Sequence, residues 1–138
     1  LNGNGELTGL EWIREAGLLN GAIGLTNTHS VGVVRDALIR HAVDTHAPGS
    51  TFWSLPVVGE TWDGRLNDID GFHVATEDAF AALDAAASGP VAEGGVGGGT
   101  GMVCHEFKGG IGTASRVVAA EAGGWILGVL VQANYGRR

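Results

Sequence analysis

The sequence predicts an α/β fold, and three observations lead to that prediction. Apolar runs of strand length occupy residues 21–27, 55–58 and 124–134. Two segments between these runs carry apolar residues at helical spacing, one starting at Val31 and the other at Thr76. The 138 residues are 44% hydrophobic and 17% charged, which suits a globular chain. We therefore expect one α/β domain over residues 1–138.

The first two helices are predicted from their caps and their periodicity. Thr8 and Glu11 have capping-box spacing, and Gly17 can end the short helix that follows them. The run 21–27 is expected to be a buried strand. The sequence Thr-His-Ser after it offers N-caps to a second helix. The apolar positions of that helix are Val31, Val34, Leu38 and Ala42.

The middle of the chain predicts a loop, a strand and a second, acidic loop. Residues 43–53 contain proline, glycine and serine and precede the strand 55–58, at whose C-terminal end Glu60 lies. The segment 60–71, ETWDGRLNDIDG, is dense in carboxylates, asparagine and glycine and has no periodicity. Loops of this kind carry functional sites more often than cores do. Thr76 is then expected to cap a helix that Gly89-Pro90 stops.

Residues 91–116 hold nine of the 25 glycines. Glycine loses more backbone freedom on folding than any other residue, so the segment serves positive φ angles, close backbone approach or exposed N–H groups. Its one apolar strand-like run is 102–107. Neither GxxxxGK[ST] nor GxGxxG occurs in the chain, which argues against a bound nucleotide.

Charge and composition narrow the range of partners. The net charge of −7 opposes binding to nucleic acid or anionic lipid, and the eight lysines and arginines are scattered except at Arg137 and Arg138. No run approaches the roughly 18 apolar residues of a membrane span. We expect neither a nucleic-acid partner nor a membrane.

Metal and thiol chemistry find little support in the sequence. None of the five histidines belongs to an HExxH motif, and a single cysteine cannot build a zinc site of paired thiolates. Cys104 as a nucleophile needs a histidine in space, but on a strand the adjacent His105 points to the opposite face. We expect Cys104 to be a buried structural residue.

Two side chains at strand ends have both a chemical and a structural interpretation. Glu60, with Asp63, Asp68 and Asp70 nearby, can recognise a substrate ammonium as a charge-assisted acceptor, or it belongs to a solvated acidic loop. Asn134 can donate its amide to an oxyanion, or it is a turn residue that ends the last strand. Pattern alone leaves both alternatives open.

Six segments, taken in order, cover nearly the whole chain and carry a family resemblance. They are LNGNGELTG (1–9), LTNTHSVGVVRDA (25–37), LPVVGETWDGRLNDIDGFHV (55–74), AALDAAASGPVAEGGVGGGTGM (81–102), FKGGIGTASR (107–116) and GVLVQANYG (128–136). In these segments the chain resembles the self-processing aminopeptidases that include the L-aminopeptidase/D-amino-acid esterase and the β-peptidyl aminopeptidases.

The resemblance implies an αββα sandwich like that of N-terminal-nucleophile hydrolases, with a different strand connectivity. It also implies a precursor that cuts itself at a Gly-Ser bond, so that the freed serine becomes the nucleophile and N-terminus of a smaller β subunit. The chain matches an internal part of the larger α subunit. Neither Gly49-Ser50 nor Ser88-Gly89 matches the processing site, and we therefore expect the nucleophile to lie outside the chain.

Three site residues follow from the resemblance. Asn134 matches the oxyanion-hole asparagine, Glu60 the carboxylate that receives the substrate's free amino group, and Trp62 the aromatic position beside it. Esterase-type members have a tyrosine at the aromatic position, and its hydroxyl can donate a hydrogen bond to the reacting centre. Trp62 has no hydroxyl, which favours the β-peptidyl branch.

The implied reaction is hydrolysis by acyl transfer of short peptides, amides or esters with a free N-terminal amine, β-peptides included, and it calls for no metal or organic cofactor. The implied partners are the β subunit of the same precursor and further α/β pairs in a homo-oligomer. Two alternatives are an acyltransferase of the ornithine acetyltransferase-like class and a non-catalytic binding fragment. We expect the isolated chain to be inactive and marginally stable.

Overall fold

A computed structural model describes residues 4–49 and 51–137. Three residues of the first family-like segment, Ser50 of the Gly-Ser dipeptide and the terminal Arg138 lie outside the described residues. The chain folds as two compact units. The N-terminal unit comprises Leu1–Trp62 and Asp68–Ser88, and the C-terminal unit comprises Asp63–Asn67 and Gly89–Arg138.

The N-terminal unit is built on a strand–helix–strand motif with two further helices. Its elements are α1 (Leu10–Ala16), β1 (Ile23–Asn27), α2 (Val31–Thr45), β2 (Val57–Thr61) and α3 (Thr76–Asp84). Short 3₁₀ turns cover Thr28–Ser30 and Ile69–Gly71. Strands β1 and β2 are parallel, in a register that runs from Ile23 opposite Val57 to Asn27 opposite Thr61. Both strands therefore end at the same edge of the sheet.

A small apolar core joins α2 to the sheet. Val31, Val34 and Leu38 of the helix pack with Val58 of β2, which is fully buried. These are three of the four helical positions that the spacing in the sequence predicts; the fourth, Ala42, is only half-buried and lies outside this cluster. Burial of such side chains stabilises the fold by about 1.5–3 kcal/mol each.

The expectation that β1 is buried is wrong for half of its side chains. Gly24 faces α2, because a Cβ at this position would lie 3.0 Å from Val34. Ile23 and Leu25 point to the opposite face and are 60% and 43% exposed. Successive residues of a strand alternate between the two faces, and α2 covers only one of them.

Glycines bound α1 at both ends. Gly9 precedes it with φ 73°, and Gly17 follows it with φ 68° and donates its N–H to the carbonyl of Ile13 at 2.8 Å. The predicted role of Gly17 as the end of the helix is confirmed. Both residues adopt the left-handed conformation that glycine tolerates best.

The predicted capping box at Thr8 is wrong. The Thr8 hydroxyl donates to the carbonyl of Pro56 at 2.8 Å and accepts the N–H of Val58 at 2.9 Å. Its backbone N–H donates to the carbonyl of Val58 at 3.0 Å. The hydroxyl and the backbone N–H of Thr8 therefore bond to the edge of β2 and to the residue before it. The hydroxyl makes no capping bond to α1.

The predicted caps of the other two helices also need correction. The Ser30 side chain makes no capping bond to α2. Helix α3 starts at Thr76, so the N-cap position is that of Ala75. The backbone N–H of Ala75 donates to the Asp78 carboxylate at 2.8 Å. A carboxylate in the first turn thus supplies the acceptor. The helix ends at Asp84, before the predicted Gly-Pro stop.

The C-terminal unit is made of antiparallel strands. They are β3 (Val103–Cys104), β4 (Phe107–Lys108), β5 (Gly110–Val117) and β6 (Ile126–Ala133). Strands β5 and β6 pair from Gly110 opposite Ala133 to Val117 opposite Ile126. Strand β6 confirms the prediction for 124–134, whereas the sequence does not predict β5. Apolar side chains on both faces of β6 are exposed, among them Ile126, Leu127 and Leu130.

The segment 102–107, predicted as one strand, is instead part of a hairpin. Two short strands, β3 and β4, are joined in it by a two-residue turn. His105 (φ 50°) and Glu106 (φ 70°) form the turn between β3 and β4. Two successive residues at positive φ match the twist of a tight hairpin. The premise that His105 lies on a strand is therefore wrong, and Cys104 is half-buried rather than fully buried.

The glycines of 91–116 bring backbone against backbone. Gly94 and Ile111 exchange two hydrogen bonds, at 2.8 and 2.9 Å. A Cβ at Gly99 or at Gly110 would overlap the carbonyl oxygen of Gly94. Only glycine fits in such close contact. Two of the three uses predicted for this segment are confirmed: close backbone approach, and positive φ angles, which occur at Gly94, Gly97, Gly101 and Gly110.

Glu93 ties the start of this segment to β5. One carboxylate oxygen accepts both the hydroxyl of Thr113, at 2.5 Å, and its backbone N–H, at 2.8 Å. These two hydrogen bonds hold the pKa of Glu93 below its usual range. The bond from the Thr113 hydroxyl has the larger effect, and the bond from its backbone N–H has the smaller one.

We predict that Thr113→Val raises the pKa of Glu93 towards its ordinary value, because the hydroxyl donor is lost. A carboxyl whose pKa is lower in the folded chain stabilises the fold above its unfolded pKa, and that contribution disappears as the pH falls through the folded pKa. Acid unfolding should therefore begin at higher pH in the variant. Carboxyl NMR titration measures the change, Thr113→Ser is the control that keeps the donor, and an unchanged Glu93 titration in Thr113→Val contradicts the prediction.

Candidate active site

Glu60 is the penultimate residue of β2, opposite Thr26 of β1. Its backbone N–H donates to the carbonyl of Glu6 at 3.2 Å. Its side chain is half-buried, and Oε2 accepts the hydroxyl of Thr28 at 2.5 Å. The carboxylate is thus held at the sheet edge where both parallel strands end, which is where ligands bind in open α/β sheets.

Trp62 directly follows β2 and belongs to the same unit as Glu60. Its side chain is 55% exposed. An exposed indole offers an apolar face and one N–H donor, but no hydroxyl. This placement suits contact with a ligand better than a role in the core.

Asn134 directly follows β6 in the C-terminal unit and is half-buried. Its Oδ1 accepts the backbone N–H of Val103 at 2.9 Å. The carbonyl of the next residue, Tyr135, accepts the N–H of His105 at 2.9 Å. The bond from Val103 orients the amide, whose oxygen and nitrogen point in different directions. The Asn134 side chain is therefore tied to β3.

The three aspartates near Glu60 in sequence have different surroundings. Asp63 belongs to the C-terminal unit, is only 5% exposed and accepts the amide of Asn67 at 2.8 Å. Oδ2 of Asp68 lies 3.1 Å from Nε2 of His73, and Oδ1 of Asp70 lies 3.4 Å from Nδ1 of His29. The interpretation as a solvated acidic loop is correct for Asp68 and Asp70, which are exposed, and wrong for Asp63, which is buried.

Sequence patterns do not identify two residues that contact Glu60. Thr28 looks like part of a helix cap in the sequence, whereas its hydroxyl binds the Glu60 carboxylate. Gly5 lies against the other carboxylate oxygen, where a Cβ would be 2.5 Å from Oε1. The signal that could have found Thr28 is its position just after the strand that pairs with β2.

A cavity of about 400 Å³ lies elsewhere in the N-terminal unit. Residues that precede β1 and β2, such as Gly21 and Leu55, line it together with Trp12 and Trp53. The two indoles meet edge to face, with ring centroids 5.0 Å apart. The cavity is at the amino-terminal ends of the strands and includes none of the predicted site residues.

The described ranges hold neither a metal-binding cluster nor a membrane-spanning helix. No group of three or more His, Cys, Asp or Glu side chains within residues 4–49 and 51–137 is arranged to hold a metal ion. No helix in the same ranges is long and apolar enough to cross a membrane.

A model of peptidase family S58 matches residues 1–138. The chain belongs to this family. The beta-peptidyl aminopeptidase BapA of Sphingosinicella microcystinivorans is 57% identical over 137 residues, which are 99% of this chain and 34% of that protein. The S58 chain thus spans about a third of the length of this curated relative.

Solved structures of relatives superimpose on the S58 chain. A beta-aminopeptidase from a Burkholderia species is 68% identical, with a TM-score of 0.95 over 99% of this chain and 38% of that one. The L-aminopeptidase D-Ala-esterase/amidase of Ochrobactrum anthropi is 51% identical, with a TM-score of 0.92 over 99% and 39%. The latter is described as a new variant among the Ntn hydrolase fold. The predicted α/β fold of the N-terminal-nucleophile type is confirmed.

We predict that Gly109→Ala displaces Asn134, because a Cβ at position 109 would overlap the carbonyl oxygen of Ala133. A backbone oxygen cannot move aside as a flexible side chain can, and overpacking of this kind costs about 1–3 kcal/mol. We expect a lower unfolding midpoint and a shifted amide signal of Val103, which donates to Asn134.

The matched control is Gly112→Ala in β5, where a Cβ meets no described atom within 4 Å. Equal unfolding midpoints and equal Val103 amide shifts in the two variants would contradict the predicted displacement.

Proposed function

We propose that the S58 chain is part of the α subunit of an autoprocessed serine aminopeptidase. Its substrates are short peptides, amides or esters with a free N-terminal amine, β-peptides included. The observation that carries the proposal is the half-buried Glu60 carboxylate held by Thr28 at the carboxyl edge of β1 and β2. The names of the relatives, beta-peptidyl aminopeptidase and L-aminopeptidase D-Ala-esterase/amidase, support the same chemistry.

Glu60 binds the substrate ammonium in this proposal. An ammonium is a cation with three N–H donors, and a carboxylate accepts from it in short, charge-assisted hydrogen bonds. Partial burial of Glu60 strengthens the pairing, because fewer water molecules compete for it. A free amine therefore becomes the feature by which substrates are selected.

Trp62 flanks the substrate in the same proposal. Its exposed indole supplies apolar contact area beside the end of β2. Since an indole has no hydroxyl, Trp62 cannot donate to the reacting centre as a tyrosine can. This difference favours β-peptidyl substrates over the esters that tyrosine-bearing members hydrolyse.

Asn134 stabilises the oxyanion. Its amide nitrogen carries the N–H groups that donate to the developing negative charge, while its amide oxygen accepts the N–H of Val103. A serine hydroxyl attacks the scissile carbonyl, the leaving amine takes a proton, and water then releases the acyl group from the serine. No step requires a metal or an organic cofactor.

The serine is supplied by the β subunit, which is the first partner of the chain. Exposed apolar side chains on both faces of β6, such as Leu127 and Leu130, support a second polypeptide segment against this hairpin. Further α/β pairs then associate into a homo-oligomer. Within this assembly, residues 1–138 act as one domain.

We predict that the complete precursor gives two polypeptides after expression and hydrolyses amino-acid p-nitroanilides and β-dipeptides. Gel electrophoresis and a release assay measure both outcomes, and the isolated chain should be inactive in the same assay. A single full-length species that hydrolyses the substrates contradicts self-processing. Turnover that depends on an acetyl donor would instead identify an acyltransferase of the ornithine acetyltransferase-like class.

We predict that two substitutions separate substrate binding from chemistry. Glu60→Gln removes the charge that binds the ammonium and should raise KM more than it lowers kcat. Asn134→Ala removes an oxyanion donor and should lower kcat about 100-fold to 1000-fold. Steady-state kinetics of the processed enzyme measure both effects. Glu15→Gln, at an exposed position of α1, is the control, and its kinetics should match those of the wild type. If Glu60→Gln also has wild-type kinetics, Glu60 does not bind the substrate ammonium.

A further inference from the structure

The segment before α1 runs along the free edge of β2. Leu7 and Gly59 form an antiparallel bridge. The N–H of Glu60 donates to the carbonyl of Glu6 at 3.2 Å, and the N–H of Thr8 donates to the carbonyl of Val58 at 3.0 Å. These bonds fix the position of Gly5 beside the carboxyl end of β2.

Gly5 is in contact with the carboxylate of Glu60. An ideal Cβ at position 5 would lie 2.5 Å from Oε1 and 3.6 Å from Cδ of Glu60. The φ angle of Gly5 is not in the left-handed region, so the backbone itself accepts alanine there. A side chain at position 5 would therefore displace the carboxylate oxygen from its present place, although the backbone tolerates one.

Thr28 holds the other oxygen of the same carboxylate. It is the first residue of the 3₁₀ turn after β1, and the parallel register places Thr26 of β1 opposite Glu60. Its hydroxyl donates to Oε2 at 2.5 Å. Hydrogen bonds from a hydroxyl to a carboxylate at this distance are short and strong.

We infer that Gly5 and Thr28 are positioning residues, which together hold the Glu60 carboxylate in the orientation that receives the substrate ammonium. Thr28 fixes Oε2 by a hydrogen bond, and the bare backbone of Gly5 leaves the volume that Oε1 occupies. A glutamate that is ordered before the substrate arrives loses less rotamer freedom on binding, which raises affinity. The inference rests on the proposed function of Glu60.

The test compares variants of the complete, processed enzyme by steady-state kinetics on an amino-acid p-nitroanilide. Thr28→Val removes the donor at nearly constant shape, and Gly5→Ala displaces Oε1. We expect each to raise KM about tenfold or more, the effect of one hydrogen bond to a charged group, with kcat within about twofold of the wild type. Thr28→Ser keeps the hydroxyl and should restore most of the affinity.

Two controls separate positioning from a general structural effect. Gly32→Ala lies in α2, where a Cβ meets no described atom within 4 Å, and should leave KM unchanged. In the Glu60→Gln background, Thr28→Val and Gly5→Ala should add no further rise in KM, because both act through the Glu60 carboxylate. The unfolding midpoint and the yield of processed enzyme are measured for each variant, to test whether it folds like the wild type.

Distinct results would overturn the inference and the proposed function. If Glu60→Gln raises KM while Thr28→Val and Gly5→Ala match the wild type, the positioning role is wrong and the ammonium site stands. If KM rises equally in both backgrounds, the two residues act on folding rather than through Glu60. If Glu60→Gln leaves KM unchanged, the ammonium site fails, and the positioning role fails with it.

Discussion

The parallel pairing of β1 with β2 is the constraint on which the N-terminal unit depends. A parallel pair needs a crossover, and α2 supplies it while its apolar residues cover one face of the sheet. The same pairing makes both strands end at one edge. Thr28 after β1 can therefore reach Glu60 near the end of β2, although the two residues are 32 positions apart in the sequence.

The C-terminal unit depends on a different constraint, the close approach of backbone segments. Gly99 and Gly110 approach the carbonyl oxygen of Gly94 at distances that exclude a Cβ, and Gly109 does the same beside Ala133. Asn134 follows Ala133, so its amide orientation depends on this packing. Side chains of the glycine-rich segment take no part in the proposed chemistry, but its backbone positions a residue that does.

In each unit, the proposed functional residue is contacted by residues that are far apart from it in the sequence. Pairing along the edge of β2 brings Gly5 to Glu60, and the bridge between Cys104 and Tyr135 brings Val103 to Asn134. Glu60 accepts a hydrogen bond from Thr28, and Asn134 accepts one from Val103, so each of these half-buried side chains is held at one atom. Such preorganisation is what the proposed ammonium-binding and oxyanion roles require.

The order of residues along the chain was enough to predict the α/β class, the apolar face of α2, strand β6 and the candidate residues Glu60, Trp62 and Asn134. Periodicity and family resemblance are properties of local order, and they can be recognised without coordinates. The packed chain was needed to learn that Thr8 pairs with β2, that 102–107 turns back as a hairpin, and that Thr28 and Gly5 contact Glu60. A hydroxyl group can bond to several partners, and a glycine can serve a turn or a close contact, so local sequence does not decide between these roles. The tertiary structure decides, because it determines which distant residues lie within contact distance.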